Sequence, residues 1–433
     1  MTPQIKQRIE QIRRGEVPDG YKRTKVGLVP EEWKIKRLAQ VLRKQTCKNT
    51  DNAIHNVLTN SATRGIVDQK DYFDKQIANS ENTDNYYIVE NGYFVYNPRI
   101  SVSAPCGPFN KYYGCEKGIM SPLYTVYKYI DCSTDYTEYL SYFFSSANWH
   151  RYMNSIANYG ARNDRMNVTS DTMSAMPLPY PPLPEQKKIA EILQTQDKLI
   201  ALQQKKIEEL KKLKKAYLSK MFPKKGCNVP EIRFPGFTDP WEQRKAIDIA
   251  DYSKGNGYSK GDLTDAGTPI ILYGRLYTKY QFAISEVDTF AVPQNGAVYS
   301  QGNEVIVPAS GETAEDIARA SAVEKSGVLL GGDLNILRPF DFINPLFLAL
   351  AISNGEPQKE LAKKAQGKSV VHIHNTDIQE VTIAYPSKTE QDRIVSVFRH
   401  LDNLITLHQR KLEEMKIYKK SLMQLLLTGI VRM

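Results

Sequence analysis

Apolar residues recur at alternating spacings of four and three positions in two long stretches of the chain, residues 185–222 and 390–427. A 3.5-residue repeat sustained over five heptads is typical of a coiled coil, and each helix would be about 57 Å long at 1.5 Å per residue. The seams include Ile189, Leu193, Ile200, Ile207 and Leu210 in the first stretch and Ile394, Phe398, Ile405, Leu412 and Met415 in the second. The pattern predicts two helices that pair through these seams. The alternative is that each amphipathic helix lies on its own domain.

The two stretches are copies of one another. Fourteen of the 38 paired positions are identical at a constant offset of 205 residues, without a gap. Polar residues interrupt both seams at equivalent places, at Gln203 and His408 and again at Lys214 and Lys419. Such interruptions weaken a coiled coil but can specify its register. Because internal repetition fixes the architecture before any motif is considered, the chain is expected to be a tandem of two similar parts.

Outside the repeated stretches, the pattern changes to short alternating segments rich in aromatic residues. Residues 86–100 and 121–130 alternate as β-strands do, and residues 138–154 are typical of a helix. The second half has a similar order of segments, opened by Trp241 as the first is opened by Trp33. The predicted fold class is α+β, with two mixed α/β domains separated by two long antiparallel coiled-coil helices in a pseudo-twofold tandem repeat.

Composition bounds the class of protein. A chain of 433 residues exceeds one hydrophobic core, which favours two or three domains. No apolar run approaches 18 residues and the N-terminus lacks the apolar core of a signal peptide, so a cytoplasmic protein without a membrane partner is expected. The five cysteines form no CxxC pair and are interpreted as reduced thiols. His372 and His374 lack a third ligand at a useful spacing, so no metal site is predicted.

The net charge of +10 is concentrated in the repeated helices. Residues 185–225 carry 12 Lys/Arg against 5 Asp/Glu, and residues 390–433 carry 8 against 5, which accounts for the whole excess. A basic surface is typical of a protein that binds a polyanion, whereas a charged helix face is often only solvated. Charge alone leaves both interpretations open.

Catalytic motifs are missing. Gly367-Lys368-Ser369 ends like a phosphate-binding loop, but Ala362 stands where the first glycine of that loop belongs. No glycine-rich turn for a dinucleotide or methyl donor, no GxSxG and no HExxH is present. A chain of this length without such motifs is predicted to bind rather than to catalyse.

Several segments carry a family resemblance. Each long helix is entered by a Pro-rich segment and a Glu-Gln pair, in LPYPPLPEQKKIAEIL and IAYPSKTEQDRIVSVF. The first domain contains GYFVYNPRIS and GIMSPLYTVY, and the second contains PASGETAEDIARASAVEKSGVLLGGDLNILRP. In these features the whole chain resembles the specificity (S) subunits of type I restriction-modification systems. One departure is Pro98, which interrupts the Asn-Arg-Met run usual at this point.

The resemblance implies a domain plan. It consists of an N-terminal helix and arm (1–24), target-recognition domain 1 (25–182), the central conserved helix (183–224), target-recognition domain 2 (225–387) and the C-terminal conserved helix (388–433). The subunit would be no enzyme on its own. It would bind a bipartite double-stranded DNA target, one half-site per recognition domain. An alternative from another class is a coiled-coil structural adaptor that binds no DNA.

The resemblance also implies partners. Two methyltransferase (M) subunits would be held on the helices, and two restriction/translocase (R) subunits would join the complex. S-adenosylmethionine, ATP and Mg would be bound by these partners and no cofactor by this chain.

Polar loop residues are the favoured DNA contacts, because base edges in the major groove are read by hydrogen bonds. The predicted base-reading residues are Asn97, Arg99, Arg162 and Arg165 in the first domain and Ser310, Glu312, Thr313 and Lys368 in the second, and the alternative for each is a phosphate contact or a structural hydrogen bond. The resemblance adds Tyr96, Ser121, Tyr124 and Gly311 to the predicted DNA-binding residues. The predicted subunit interface consists of the ten seam residues named above together with Lys211 and Lys212.

Overall fold

A computed structural model describes residues 2–72, 83–130, 137–159, 164–367 and 370–433. The chain forms two compact units. Unit 1 consists of residues 1–202 and 412–433, and unit 2 consists of residues 203–411. Each unit has its own hydrophobic cores, as expected for a chain longer than a single core can serve.

The described helices range from single turns to 40 residues. They are α1 Pro3–Arg13, α2 Gln69–Tyr72, α3 Glu138–Ser145, α4 His150–Ile156, α5 Ser170–Ser174, α6 Leu183–Lys220, α7 Arg275–Thr278, α8 Ala314–Ile317, α9 Pro345–Ile352, α10 Gly355–Lys364, α11 Asn375–Gln379 and α12 Lys388–Leu427.

Unit 1 contains two four-stranded sheets, ordered β6-β5-β10-β7 and β4-β11-β8-β9, and three two-stranded ladders. Its described strands are β1 Tyr21–Thr24, β2 Gly27–Pro30, β3 Lys34–Arg37, β4 Leu42–Lys44, β5 Val57–Ser61, β6 Gly65–Asp68, β7 Tyr87–Val89, β8 Phe94–Tyr96, β9 Phe109–Lys111, β10 Gly118–Met120, β11 Thr125–Tyr129, β12 Asn158–Tyr159, β13 Met166–Asn167 and β14 Pro177–Tyr180. Aromatic rings fill the main core, where Phe109 and Phe144 stack with centroids 4.0 Å apart.

Unit 2 contains two five-stranded sheets, ordered β16-β26-β22-β24-β19 and β17-β20-β18-β25-β21, and two short ladders. Its described strands are β15 Glu242–Lys245, β16 Ala250–Lys254, β17 Leu263–Thr264, β18 Thr268–Ile271, β19 Ala283–Ile284, β20 Phe290–Ala291, β21 Tyr299–Gln301, β22 Glu304–Pro308, β23 Ser310–Gly311, β24 Ser321–Val323, β25 Ser326–Leu330, β26 Leu334–Pro339, β27 Val371–His372 and β28 Thr382–Tyr385. The nearly uniformly apolar helix α9 packs against strands β22, β24 and β26.

The two long helices α6 and α12 confirm the predicted coiled-coil stretches. Neither contains glycine, and α6 has its one internal proline, Pro184, in the first turn, where a missing backbone N–H costs no helical hydrogen bond. Pro223 follows α6, and Gly429, with φ +69°, follows α12. Each helix contributes one part of its length to unit 1 and the other part to unit 2.

Within each unit the two helices run antiparallel. In unit 2, Gln203 Nε2 lies 2.9 Å from His408 Nδ1, and Lys214 Nζ donates to Asp402 at 2.6 Å, so the partner number falls as the position along α6 rises. In unit 1, Lys419 of α12 pairs with Asp197 of α6. The polar seam positions predicted to specify register are therefore all paired. The lysine–aspartate contact recurs at the sequence offset of 205 residues.

Candidate nucleic-acid interface

In unit 1, the chain leaves β8 and pairs with the segment that enters β13. The backbone N–H of Met166 donates to the carbonyl of Pro98 at 2.9 Å, and Arg99 lies opposite Arg165 in an antiparallel bridge. We call Arg99 and Arg165 the edge pair of unit 1. Both residues are exposed.

The charges of this edge pair are uncompensated within the described part of the chain. Neither guanidinium group forms a hydrogen bond or an ion pair with a described residue. Like charges directly opposite one another on paired strands destabilise the pairing. A bound polyanion would remove that repulsion, and the planar guanidinium fork fits both phosphate and the edge of guanine. The edge pair of unit 1 is therefore suited to nucleic acid.

A network of amide side chains positions Arg99. Its backbone N–H donates to Asn97 Oδ1 at 3.0 Å, and Asn97 Nδ2 donates to the carbonyl of Asn60 at 3.3 Å. Asn60 is 3% exposed; its Nδ2 donates to the backbone of β8 at 2.8 Å, and its Oδ1 accepts from Asn110 at 2.7 Å. Because buried amides with satisfied hydrogen bonds rigidify their surroundings, the loop that carries Arg99 is held in one conformation.

Unit 2 has a corresponding edge. The chain leaves β22 and pairs through β23 with β27, and the N–H of Ile373 donates to the carbonyl of Ala309 at 3.1 Å. Ser310 lies opposite His372 in this ladder, and we call them the edge pair of unit 2. On its other side, His372 exchanges backbone hydrogen bonds of 3.1 and 2.8 Å with Gln366. The backbone of His372 is thus paired on both sides.

The side chains of the second edge pair contact one another. Ser310 Oγ lies 3.2 Å from His372 Nδ1, and the carbonyl of Ser310 accepts a hydrogen bond from the Tyr277 hydroxyl at 2.8 Å. His372 is exposed, and its Nε2 has no hydrogen-bond partner among the described residues. The imidazole is therefore oriented through one nitrogen and open through the other.

The predicted DNA-binding residues of unit 1 lie at different depths. Arg99 and Arg165 are on the surface, and Arg162 lies outside the described residues. The prediction of Tyr96 as a surface contact is corrected by its position in the core, where it is 4% exposed and its hydroxyl donates to the carbonyl of Cys106 at 3.0 Å. Burial raises the pKa of this phenol well above its usual range.

The other three predicted residues of unit 1 shape the loops near the edge. Asn97 holds Arg99 as described above. Ser121 and Tyr124 form the turn that enters β11, with the N–H of Tyr124 donating to the carbonyl of Ser121 at 3.0 Å. The Tyr124 hydroxyl lies 3.3 Å from Thr59 Oγ1. Ser121 and Tyr124 are half-buried, and their contact with DNA stays a prediction.

In unit 2, only some of the predicted DNA-binding residues have a side chain that is accessible to a ligand. Ser310 is half-buried beside His372, and Glu312 is exposed, whereas Lys368 lies outside the described residues. Gly311 is buried, and an added Cβ would lie 2.7 Å from the Tyr277 hydroxyl, so it serves the packing of the ladder. The Thr313 hydroxyl caps α8 by accepting from the N–H of Asp316 at 3.0 Å.

The predicted subunit-interface residues divide by depth. Buried within the chain are Ile189, Leu193, Ile207, Leu210, Ile394, Phe398, Ile405 and Leu412, half-buried are Ile200 and Met415, and exposed are Lys211 and Lys212. The buried seam packs inside this chain and offers no surface to another protein, which corrects that part of the prediction. Exposed apolar residues occur instead at repeat-related positions, Leu202 with Leu407 and Leu213 with Tyr418.

Sequence reasoning missed His372, Asn60 and Asn110. His372 and His374, which the sequence pairs only as candidate metal ligands, make different contacts in the structure. His374 caps α11, its backbone N–H donating to Asp377 Oδ2 at 2.8 Å, while His372 faces Ser310. A strand prediction for this segment could have pointed to His372, because alternate residues of a strand share one face of the sheet.

Other kinds of site find no support in the described ranges. No cluster of three or more His, Cys, Asp or Glu residues that could hold a metal ion occurs there. Cys47, Cys106, Cys115 and Cys227 are free thiols, and burial raises the pKa of Cys106 to about 11. None of the helices described above is long and apolar enough to cross a membrane.

Comparison with known sequences gives consistent matches. The family model described as the type I restriction modification DNA specificity domain matches residues 30–212 and again residues 238–416. The type I restriction enzyme MjaVIII specificity subunit of Methanocaldococcus jannaschii is 26% identical over 271 residues, which are 59% of this chain and 62% of that protein. A protein provisionally named the MjaX specificity subunit, from the same organism, is 23% identical over 435 residues, covering 96% of this chain and 97% of the relative.

Solved structures show the same fold. One, from work on complex assembly and conformational transition of the type I R-M system, superposes with a TM-score of 0.56 at 16% identity, covering 93% of this chain and 99% of its own. Another, the type I restriction-modification S subunit from M. genitalium, has a TM-score of 0.52 at 14% identity, covering 91% of this chain and 96% of its own.

Proposed function

The chain belongs to the type I restriction-modification DNA specificity family, and from that premise we propose that it is a non-catalytic subunit that reads a bipartite double-stranded DNA target, one half-site per unit. The observation that carries this proposal is the edge pair. Both units place two residues opposite one another where the chain leaves β8 or β22, but the residues differ.

The difference between the edge pairs supports two unlike half-sites. Arg99 and Arg165 present two guanidinium groups, each able to bind guanine N7 and O6 or a phosphate. Ser310 and His372 present a hydroxyl and an imidazole, with the Glu312 carboxylate exposed on the same loop. Carboxylates accept from cytosine N4 and are repelled by phosphate. The edge pair of unit 1 therefore suits strong contacts with phosphate or guanine, whereas the edge pair of unit 2 suits discrimination between bases by hydrogen bonds.

Partner subunits would dock on the exposed faces of α6 and α12. The seam is already filled, whereas Leu202 and Leu407 remain 63% and 61% exposed at repeat-related positions. A surface that occurs twice in one chain suits two copies of the same partner, and the methyltransferase subunits implied by the family are the expected occupants. Lys211 and Lys212, which are also exposed, precede Leu213 in the sequence of α6. The R subunits, S-adenosylmethionine, ATP and Mg would join through the methyltransferase complex.

The direct experiment is methylation mapping with the assembled complex. The unaltered chain should direct methylation to one bipartite sequence, and R99A or R165A should relax a position in only one of its half-sites. Losing one bidentate arginine contact should cost about 1–3 kcal/mol of binding at that base. Equal weakening on every duplex would make the edge arginines phosphate contacts. No preference of the unaltered complex for any duplex over random DNA would favour the coiled-coil adaptor and contradict DNA recognition.

Docking is tested separately. L202E with L407E should prevent co-purification of the methyltransferase subunit while leaving the fold intact, because both residues point to solvent in this chain. K211E with K212E should weaken assembly less, since long exposed lysines contribute little to a desolvated contact. An assembled complex whose DNA binding has merely become less dependent on salt would instead assign the lysines to phosphate contact.

A further inference from the structure

His372 occupies in unit 2 the place that Arg165 occupies in unit 1. Each residue lies on the segment that leads into a short helix, α5 or α11, and each stands opposite the residue of the other strand in its edge pair. Each is also followed by a residue whose N–H is bonded to the chain just beyond β8 or β22. The position is thus built in the same way twice, with a different side chain in each unit.

The backbone presets the direction of the His372 side chain. It is paired on one side with Ser310 and bonded twice on the other to Gln366. Only the two side-chain torsions remain free, and the 3.2 Å contact from Nδ1 to Ser310 Oγ restrains these as well. Such pre-organisation lowers the entropy cost of a contact made on binding.

The same contact is coupled to the tautomer of the ring. A neutral imidazole has one donor nitrogen and one acceptor nitrogen, and the bond made at one nitrogen decides which of them carries the proton. The Ser310 hydroxyl has no other hydrogen-bond partner among the described residues, so its proton is available to Nδ1. In the arrangement in which this hydroxyl donates to Nδ1, the ring proton resides on Nε2, which faces outward as a donor.

We infer that His372 is a base-reading residue whose Nε2–H donates to guanine in the half-site read by unit 2. Guanine offers two adjacent acceptors, N7 and O6, in the major groove, whereas adenine places an N6 donor beside its N7. A single donor of fixed direction therefore favours guanine over adenine. The inference rests on the proposed function, and Ser310 acts in it as a positioning residue.

The test measures binding of the assembled methyltransferase complex to its mapped target and to duplexes substituted at each position of both half-sites. H372A should weaken binding to the target roughly 2- to 12-fold, the ratio that corresponds to about 0.5–1.5 kcal/mol for one neutral hydrogen bond, and should abolish discrimination at one guanine. H372Q, whose amide can still donate, should keep part of that preference. S310A should reduce the same preference by a smaller factor, since it only frees the tautomer.

The controls separate this inference from the proposed function and from a folding defect. K325A removes an exposed charge between β24 and β25, at the opposite end of β22 from the edge pair, and should leave the whole specificity profile unchanged. Uniform weakening on all duplexes by H372A, or an unchanged profile in both H372A and H372Q, would overturn the inference while bipartite recognition stands. Should H372A fail to assemble, the profile of H372Q decides alone. Absence of any preferred duplex for the unaltered complex would overturn the proposed function itself.

Discussion

The two long helices carry the same Glu-Gln pair in their first turn, and its glutamine makes one hydrogen bond that is common to both units. Gln186 Nε2 donates to the carbonyl of Pro181 at 2.8 Å, and Gln391 Nε2 donates to the carbonyl of Pro386 at 2.9 Å. All four residues repeat at the offset of 205. A contact made between residues five apart is carried along whenever the segment is duplicated, because nothing outside the segment is needed.

The glutamates, in contrast, are neutralised from different places. Glu185 accepts hydrogen bonds from Arg432 Nε at 2.7 Å and from the Trp33 indole at 3.0 Å. Glu390 accepts two parallel bonds from Arg233, both at 2.8 Å. The indole of Trp241, which opens unit 2 as Trp33 opens unit 1, is buried and has no hydrogen-bond partner among the described residues.

The difference shows which features a repeat preserves. Arg432 follows the end of α12 by five residues, whereas Arg233 follows the end of α6 by thirteen, so the two arginines are not copies of one position. Burying a carboxylate without a partner costs several kcal/mol, and this requirement persists in both copies. Any arginine within reach can meet it. The buried glutamate is therefore part of the repeated helix, whereas the arginine that pairs with it comes from a different position in each unit.

The largest expected effect comes from removing the cation in unit 2. R233A leaves Glu390, whose side chain is 1% exposed, without its arginine and should lower the free energy of unfolding of unit 2 by about 3–5 kcal/mol. R432A should cost unit 1 less, roughly 1–3 kcal/mol, because the Trp33 indole still donates to Glu185. Hydrogen exchange measured by mass spectrometry on peptides from residues 388–401 and 183–196 reports the two units separately.

A neutral acceptor provides the control for this pair. E390Q in the R233A background should recover part of the loss, since a buried amide costs less than a buried carboxylate. The prediction would be contradicted if R233A destabilised unit 2 no more than R432A destabilises unit 1. It would also be contradicted if E390Q gave no recovery.

The second effect distinguishes the two tryptophans. W33F removes an indole donor from a buried carboxylate, whereas W241F removes a donor that has no partner in the described structure. Both substitutions shrink a core side chain, so their packing costs largely cancel in the difference. W33F should therefore destabilise its unit by about 1.5–3 kcal/mol more than W241F does. Equal losses in denaturant titrations of the two variants would argue against the Glu185 hydrogen bond.

Sequence periodicity was sufficient to predict the long helices but not the arginine–glutamate contacts near their first turns. The seam from Ile189 to Leu210 could be predicted because neighbours on a helix face are close in sequence. The partners of Glu185 and Glu390 are 247 and 157 residues away, and only the folded chain brings them together. The fold class and the surface position of Arg99 were predictable from pattern and resemblance. The burial of Tyr96 was not, since a strand residue of that type suits either face.

The smallest effect concerns the repeated lysine–aspartate contacts of the coil. Lys419 pairs with Asp197 and Lys214 with Asp402, and the four side chains are 20–45% exposed, so each pair alone should contribute at most about 1 kcal/mol. Asp197 also accepts a hydrogen bond from the Tyr142 hydroxyl at 2.8 Å. Burial, followed by Asp197 itself, raises the pKa of Tyr142, so the hydroxyl remains a donor throughout the neutral range.

Near the second contact, Phe282 provides a ring beside Lys214 but no hydroxyl. D197A, which removes the acceptor as well as the charge, should therefore destabilise unit 1 by roughly 0.5–1.5 kcal/mol more than D402A destabilises unit 2. Y142F should remove that excess without disturbing the lysine, and the double variant D197A/Y142F should be little worse than D197A, because alanine at 197 and phenylalanine at 142 break the same bond. Additive losses in this double-mutant cycle would show that Tyr142 stabilises unit 1 through packing of its ring, and the two repeated contacts would then be energetically alike.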